Sequence, residues 1–377
     1  MSLKVAIIAG EESGDKLGSA LMEALAARTP CTFMGIGGSD MAALGLTPIF
    51  PMHEIAVMGI DAIVRRLPSL LKRITEAADA VVAFRPDVLI IIDAPEFTHR
   101  VAKKVRRRLG AVPIVNYVSP TVWAWRPGRA KAMRPYVDLV LALFPFEPDA
   151  HRRLGGPPCV YVGHPLFQAL RRPEPADGNA LLVLPGSRRG EVERLMPVFG
   201  EAVARLAPEA PVNLLAVPYL LERITELAEA WPVAPTILTG KDAKAAAFDS
   251  ARCALAASGT VTLELAAARV PMAVAYKLDF AYKVVKLIHP IFPIVKAPSM
   301  VLANIVIGRN AIPAFLEEDA NAETLAAALA PLMELGSKAR AVQNAAFDEF
   351  AAAMTVNGSP QDMAAAAVLT LLDERAH

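Results

Sequence analysis

An α/β fold of two Rossmann-like domains facing each other across a cleft is predicted by three features of the chain. Short Val/Ile/Leu runs recur, each the length of one buried strand, as in Lys4–Ala9, Asp87–Ile92 and Leu181–Leu184. Several of these runs end in a turn that opens a helix, at Gly10–Asp15, Asp93–Phe97, Pro185–Glu193 and Ser258–Glu264. And 377 residues exceed one ordinary α/β core and suit two. In an open α/β sheet ligands bind at the carboxyl ends of the strands, and a helix N-terminus there favours an anion.

Taken in order, Lys4–Ala9 is the first strand, Gly10-Glu11-Glu12-Ser13-Gly14-Asp15 the turn, and Lys16–Ala27 a helix with Leu17, Leu21 and Leu25 on one face. The glycines do not follow G-x-G-x-x-G, which disfavours a nicotinamide cofactor. Phe33–Ile36 reads as the second strand, followed by a Gly37-Gly38 loop. A mixed apolar and basic helix covers Ala62–Ala83. Asp87–Ile92 is a strand, and Asp93 at its end is a candidate general base or the cap of the next helix, with Glu96 beside it. Pro113–Val118 leads into Ser119–Arg126, whose two tryptophans and arginine line an acyl or sugar pocket, or pack between domains. Leu139–Leu143 and Val160–Val162 complete the first set of strands.

The Pro- and charge-rich stretch Arg171–Asn179 has no periodicity and reads as a linker. It divides a first domain over 1–170 from a second over 171–350. The second repeats the pattern, with strands at Leu181–Leu184, Asn213–Val217, Thr236–Leu238, Cys253–Ala256 and Pro271–Tyr276. Ser187 is placed to cap a helix beginning at Arg188 and Arg189, and Ser258-Gly259-Thr260 opens another that carries Glu264. Leu278–Val295 is an amphipathic basic segment, either interfacial or an ordinary core helix. Asn304–Asn310 reads as a loop. A C-terminal helix within 351–377 returns to the first domain or pairs with a second subunit, giving a homodimer.

Composition narrows the function. The chain is 54% hydrophobic with mean hydropathy +0.37. Its net charge of +1 steers no nucleic acid. Charge is local instead: Arg100, Lys103, Lys104, Arg106, Arg107 and Arg108 run without an acidic residue, and Arg65, Arg66, Lys72 and Arg73 form a second group. Such runs suit phosphates or an anionic membrane surface, or form solvated helix faces. Cys31, Cys159 and Cys253 imply no disulfide framework and fit a reducing cytoplasm. The short N-terminal apolar run is not a signal peptide, and no stretch reaches the ~20 apolar residues of a membrane span. The carboxylates are not at metal-ligand spacing, so neither metal nor cofactor is expected.

Turns at Gly10, Asp93, Ser187 and Ser258 gathered in one cleft would suit a nucleotide-linked substrate. Its diphosphate is held by helix N-termini and Arg188 or Arg189, and its sugar by carboxylates. Three classes share these features: a transferase, an enzyme such as a UDP-sugar 2-epimerase, and a non-catalytic sugar-nucleotide or lipid-binding protein. Turnover, and its dependence on an acceptor and on acyl chains, separates them.

The motifs are more specific. AGEESGD (Ala9–Asp15), AVMGI (Ala56–Ile60), IDAPEF (Ile92–Phe97), YVSPTVWAWRPGR (Tyr117–Arg129), GHP (Gly163–Pro165), LPGSR (Leu184–Arg188), ASGTVTLE (Ala257–Glu264) and APSMVLANIVIGR (Ala297–Arg309) run in order along nearly the full length. In these the chain resembles the bacterial lipid-A-disaccharide synthases, GT-B glycosyltransferases of glycosyltransferase family 19. The resemblance implies an inverting transfer from UDP-2,3-diacylglucosamine to 2,3-diacylglucosamine 1-phosphate (lipid X), releasing UDP and lipid A disaccharide 1-phosphate. It implies an acceptor domain first and a donor domain second. It implies Asp93 as base, Arg188 with Ser187, Ser258, Gly259 and Thr260 at the diphosphate, and Glu264 at the ribose. Glu11, Ser13 and Gly14 would contact the acceptor or transition state, with Asn304 and Arg309 as further pocket residues. It also implies a cytoplasmic protein lying peripherally on the anionic inner membrane.

Overall fold

The structure is a computed structural model that describes residues 2–55, 60–172, 174–277 and 299–376. Val/Ile-rich runs too short for helices form parallel strands, because helices cover both faces and leave no solvent-facing side for polar alternation. The first sheet contains β1 (Leu3–Ala9), β2 (Cys31–Ile36), β3 (Thr47–Pro48), β4 (Val88–Ile92), β5 (Ile114–Tyr117), β6 (Leu139–Ala142) and β7 (Cys159–Tyr161). Its helices are α1 (Glu12–Ala26), α2 (Ser39–Ala43), α3 (Ile60–Phe84), α4 (Pro95–Arg108), α5 (Gly128–Met133) and α6 (Glu147–Arg153). After α7 (Pro165–Leu170) comes the second sheet, of β8 (Ala180–Leu184), β9 (Val212–Ala216), β10 (Thr236–Thr239), β11 (Ala251–Ala257), β12 (Met272–Tyr276) and β13 (Ala314–Leu316). Around it lie α8 (Arg189–Leu206), α9 (Leu221–Ala228), α10 (Lys241–Ser250), α11 (Thr260–Ala267), α12 (Leu302–Ile307), α13 (Ala322–Met333) and α14 (Lys338–Met354). The last helix is α15 (Pro360–Ala376).

The strand orders are β3-β2-β1-β4-β5-β6-β7 and β10-β9-β8-β11-β12-β13, and the paired strands are parallel. Both are doubly wound. The direction of winding reverses between β1 and β4 in the first sheet and between β8 and β11 in the second. Such a reversal leaves a crevice beyond the carboxyl ends of the two strands, the usual ligand position.

Packing follows the period of two along each strand. Val5, Ile7 and Ala9 of β1 share a core with Leu21 and Leu25 of α1 and Ala364 and Val368 of α15. Ala6 and Ile8 face the opposite way, toward Ile74 and Val81 of α3 and Val101 and Val105 of α4. In the second sheet Leu181 and Val183 pack on Val192, Leu195 and Phe199 of α8 and on Leu325 and Leu329 of α13. These side chains are at most 1% exposed, so each Val, Leu, Ile or Phe among them contributes about 1.5–3 kcal/mol of burial.

The chain forms two units, residues 1–165 with 356–377, and residues 166–355. The crossing at Pro165/Leu166 precedes the Arg171–Asn179 stretch that reads as a linker. That stretch instead lies in the second unit, where Ala176 N donates to Arg269 O at 3.1 Å and Ala176 O accepts from buried Arg340 Nη2 at 2.6 Å. A Pro-rich segment without periodicity is still ordered when buried donors satisfy its backbone. α15 returns to the first unit, where Arg28 pairs with Asp362 at 2.8 Å. Asn304–Asn310, which reads as a loop, begins within α12 and ends at Gly308, whose φ of 71° suits a left-handed helix stop. The Leu278–Val295 segment lies outside the described residues, as does most of the AVMGI motif.

Candidate functional site

In the first unit the turns after β1 and β4 meet across the winding reversal. A Cβ on Gly10 would stand 2.2 Å from the Ala94 Cβ. A Cβ on Gly14 would stand 3.2 Å from the Ala9 Cβ. Asp93 and Ala94 are both left-handed, with φ of 52° and 43°. Such conformations cost non-glycine residues about 1–2 kcal/mol each and gather at functional sites. Thr98 Oγ1 holds the bend by donating to Asp93 O at 2.7 Å. Asp93 Oδ1 accepts from Ala94 N at 2.8 Å, and the side chain does not cap α4. The carboxyl is half-buried at the strand end. Glu11 is close enough to feel it: burial first, and the Asp93 carboxylate second, raise the Glu11 pKa above the usual carboxylate range. A like charge nearby disfavours the ionised form of Glu11.

A buried polar frame supports this edge. Asp15 is 4% exposed and accepts from Gly38 N at 2.7 Å, Asp40 N at 3.0 Å and Met41 N at 3.1 Å, which fixes the turn after β2. Glu147 is 2% exposed and accepts from Leu143 N at 3.2 Å, Phe144 N at 3.1 Å and Trp123 Nε1 at 3.3 Å. Burial pushes its carboxyl up to about 8 against the opposing pull of these donors. Ser119 Oγ bonds His151 Nε2 at 2.9 Å. Together these contacts tie the 118–127 loop after β5 to the loop after β6.

In the second unit the turns after β8 and β11 line a cavity of about 400 Å³ with residues from the ends of β9 and β10. Gly186, Ser187, Lys241, Lys244, Ser258 and Glu264 are among its walls. Gly186 has φ of 107°, a backbone position that favours glycine. Lys244 pairs with Glu264, whose side chain is 12% exposed. This volume suits a small ligand, and a mostly apolar lining with a few polar groups would orient one.

Several expected roles change. Ser187 does not cap α8: the N-cap is Arg188, without a side-chain cap bond. Glu191 reaches back instead and accepts from the Ser187 and Arg188 N–H groups. It is the returning half of a capping box, and it already occupies two donors that the turn seemed to offer an anion. Arg189 pairs with Glu193 at 3.0 Å, whereas Arg188 is exposed and has no ion pair among the described residues. Ser258 is committed internally, its N–H to Ala275 O at 3.0 Å and its hydroxyl to Met300 O at 2.8 Å. Gly259 and Thr260 remain at the cavity, at the start of α11. Asn304 is 2% exposed; its Oδ1 accepts from Ala311 N and Ile312 N, and its Nδ2 donates to Ile312 O at 2.8 Å. These bonds hold the turn that follows α12. Arg309 forms two bonds to Glu349 on α14, at 3.1 and 2.6 Å. Ser13 is exposed on the first turn of α1. The Arg100–Arg108 run is partly neutralised, since Arg106 pairs with Asp138 and Arg108 with Asp79.

Sequence reasoning passed over Lys241, Lys244 and Glu147, and gave Asp15 no role. The role of Glu191 was hidden too, since it stands three residues after the true cap, Arg188, and four after Ser187. The lysines lie on a helix with no motif, and only sheet order brings them to the turns after β8 and β11.

Comparison with known proteins agrees with this geometry. A family model for lipid-A-disaccharide synthetase matches residues 5–368. The chain is 49% identical over 388 residues to the lipid-A-disaccharide synthase of Nitrobacter winogradskyi, covering 99% of this chain and 96% of that one. It is 52% identical over 337 residues to that of Rhodopseudomonas palustris, covering 86% and 84%. Among solved structures, Acinetobacter baumannii MurG superposes with TM-score 0.57 at 16% identity, covering 99% of each chain. The Methanocaldococcus jannaschii UDP-GlcNAc 2-epimerase does so with TM-score 0.58 at 13% identity, covering 98% and 100%. At that identity the likeness concerns the fold alone, the GT-B pair of Rossmann-like units. With its family model matched from the first strand to the last helix, and half its residues shared with full-length relatives, the chain belongs to the lipid-A-disaccharide synthetase family.

Proposed function

We propose that the first unit binds the acceptor and supplies the base, and that the second unit binds the UDP part of the donor. The reaction is condensation of UDP-2,3-diacylglucosamine with 2,3-diacylglucosamine 1-phosphate. The acceptor 6-hydroxyl gives its proton to Asp93, and its oxygen bonds to the donor's anomeric carbon. The bond from that carbon to the diphosphate breaks, and UDP leaves with the electron pair. One displacement inverts the α-linked donor to a β-1,6-linked product. Arg188 neutralises charge on the departing diphosphate, with the N–H groups at the start of α11. Glu264, held by Lys244, accepts from the ribose hydroxyls. Glu11, on the neighbouring turn, contacts the acceptor or the transition state.

The observation that carries this reading is the Asp93 carboxyl at the winding reversal, held in left-handed backbone with Glu11 on the β1 turn beside it. Both substrates are acylated, so the enzyme works at the cytoplasmic side of the inner membrane, attached peripherally through exposed basic side chains such as Arg100. Among the described residues, no helix is long and apolar enough to cross a membrane.

The test is UDP release from the donor in detergent micelles, with and without acceptor, by wild type and Asp93→Ala. Loss of a general base lowers turnover about 10²–10⁴-fold, with donor binding retained. Release without acceptor would point to hydrolysis or epimerase-like chemistry. Full activity in Asp93→Ala would leave the transferase and remove Asp93 as base.

A further inference from the structure

The loop after β5 carries a feature that the reaction above does not use. Glu96, in the first turn of α4, stands between two guanidinium groups. Arg129 Nη2 lies 2.5 Å from Glu96 Oε1, and Arg126 Nη1 lies 3.7 Å from the same oxygen. The two arginines differ in freedom. Arg129 is 23% exposed and fixed; Arg126 is 59% exposed, and its guanidinium rests over the Trp125 ring at 5.4 Å. One carboxylate against two guanidiniums leaves a net positive charge and an open fork on Arg126. The surrounding field has the same sign. His99, buried beneath, is held down at about 4 by burial first, then by Arg129 and Lys103.

The aim of this pair is set by structure that sits below it. Arg126 has φ of 50° and Val118, at the other end of the loop, φ of 74°. A β-branched residue there is an outlier. Asn116 Nδ2 donates to Val118 O at 2.9 Å, and Glu147 accepts from Trp123 within the loop. A loop strained at both ends and pinned by a buried carboxyl fixes the backbone that carries Arg126. Glu96 also lies only three residues after Asp93, in the first turn of the helix that follows it.

We propose that Arg126 and Arg129, spread by Glu96, form a subsite for a phosphomonoester dianion carried on the acceptor sugar. A tetrahedral dianion matches two guanidinium forks, and Arg recognises phosphate through paired N–H bonds. Built on the helix that follows the proposed base, the subsite grips the acceptor sugar at its phosphate end and leaves the distal hydroxyl for reaction. This rests on the acceptor role proposed above for the first unit.

The test compares 2,3-diacylglucosamine 1-phosphate with 2,3-diacylglucosamine as acceptors, in neutral detergent micelles free of anionic lipid. The readout is the ratio of the two kcat/KM values. Removing charge-assisted bonds to phosphate corresponds to about tenfold to a hundredfold. The wild-type preference for the phosphorylated acceptor should therefore shrink by that factor in Arg126→Ala, with partial recovery in Arg126→Lys. Arg129→Ala should act in the same direction; its partial burial makes Arg126→Ala the cleaner variant. An unchanged ratio, with both acceptors losing equally, would make Arg126 a framework residue and overturn the proposal. A lipid headgroup as the true occupant is a separate outcome. Binding to phosphatidylglycerol vesicles would then fall in Arg126→Ala while the acceptor ratio held, which also overturns it. Calorimetric binding of glucosamine 1-phosphate against glucosamine keeps the two readings apart. Phosphate-dependent binding that weakens in Arg126→Ala, in a protein without transfer activity, would sustain the subsite and sink the transferase reading. Equal binding of both sugars by wild type would sink the subsite.

Discussion

Gly10→Ala tests how closely the two turns of the first unit must approach. Gly10 is absent from the positive-φ residues, so this glycine serves space and not backbone freedom. An added Cβ would sit 2.2 Å from the Ala94 Cβ. Carbon atoms rest about 3.5–4.0 Å apart, so the turns must part by roughly 1.5 Å. Overpacking of this kind costs about 1–3 kcal/mol. In a unit of this size that corresponds to roughly 2–10 °C in Tm. The effect on catalysis is larger than on stability. The turns carry Glu11 and Asp93, and a displacement of about 1 Å at reacting groups costs on the order of 10² in rate. Acceptor-dependent UDP release should therefore fall about 100-fold in a protein that still folds, with circular dichroism checking the fold. Gly10→Ala combined with Ala94→Gly removes the opposing Cβ and should restore most of the activity. Ala94→Gly alone should be near neutral, because relief of a left-handed alanine, about 1–2 kcal/mol, opposes a glycine entropy cost of about 0.5–1 kcal/mol. Full activity in Gly10→Ala, or a double variant no better than the single one, would refute the argument.

Two further outcomes follow from the site. Arg188→Ala should weaken donor turnover at least tenfold, whereas Arg189→Ala, which removes only an exposed pair with Glu193, should change it less than threefold; steady-state kinetics against donor concentration decide, and equal losses would reassign the diphosphate contact. Glu147 should make stability fall as pH rises: its carboxyl is raised to about 8, so the folded chain keeps a proton that the unfolded chain has released above the ordinary value of 4.5. Below pH 6.5 the depressed His99 and His164 act in the opposite sense, which leaves about pH 6.5–8 as the window where Glu147 dominates, on the order of 2 kcal/mol. Urea midpoints across that window should drop in wild type and drop less in Glu147→Gln; parallel slopes would remove Glu147 as the cause.

The sequence by itself determined the α/β class, most of the strands and the turns that matter. Buried parallel strands read as continuous apolar runs, and the break from such a run into Gly, Ser and acidic residues marks where the backbone leaves the core. Asp93 reads as a candidate base on that ground, since it ends such a run, whereas Glu11 enters only through the family resemblance. Other features needed the tertiary structure, because they depend on which side chain satisfies which buried group. Asn304 and Arg309 stand in a family motif, yet Asn304 closes a turn at Ile312 and Arg309 pairs with Glu349. Ser187 looks like a helix cap until Glu191 is seen to fold back on the same N–H groups. The joining of Lys244 to Glu264 and of Glu96 to two arginines depends on strand order, which places loops distant in sequence at one edge. Local chemistry fixes where a strand ends and a helix begins. Which donors and acceptors are then left for a ligand is a property of the packed chain, because every internal bond removes one.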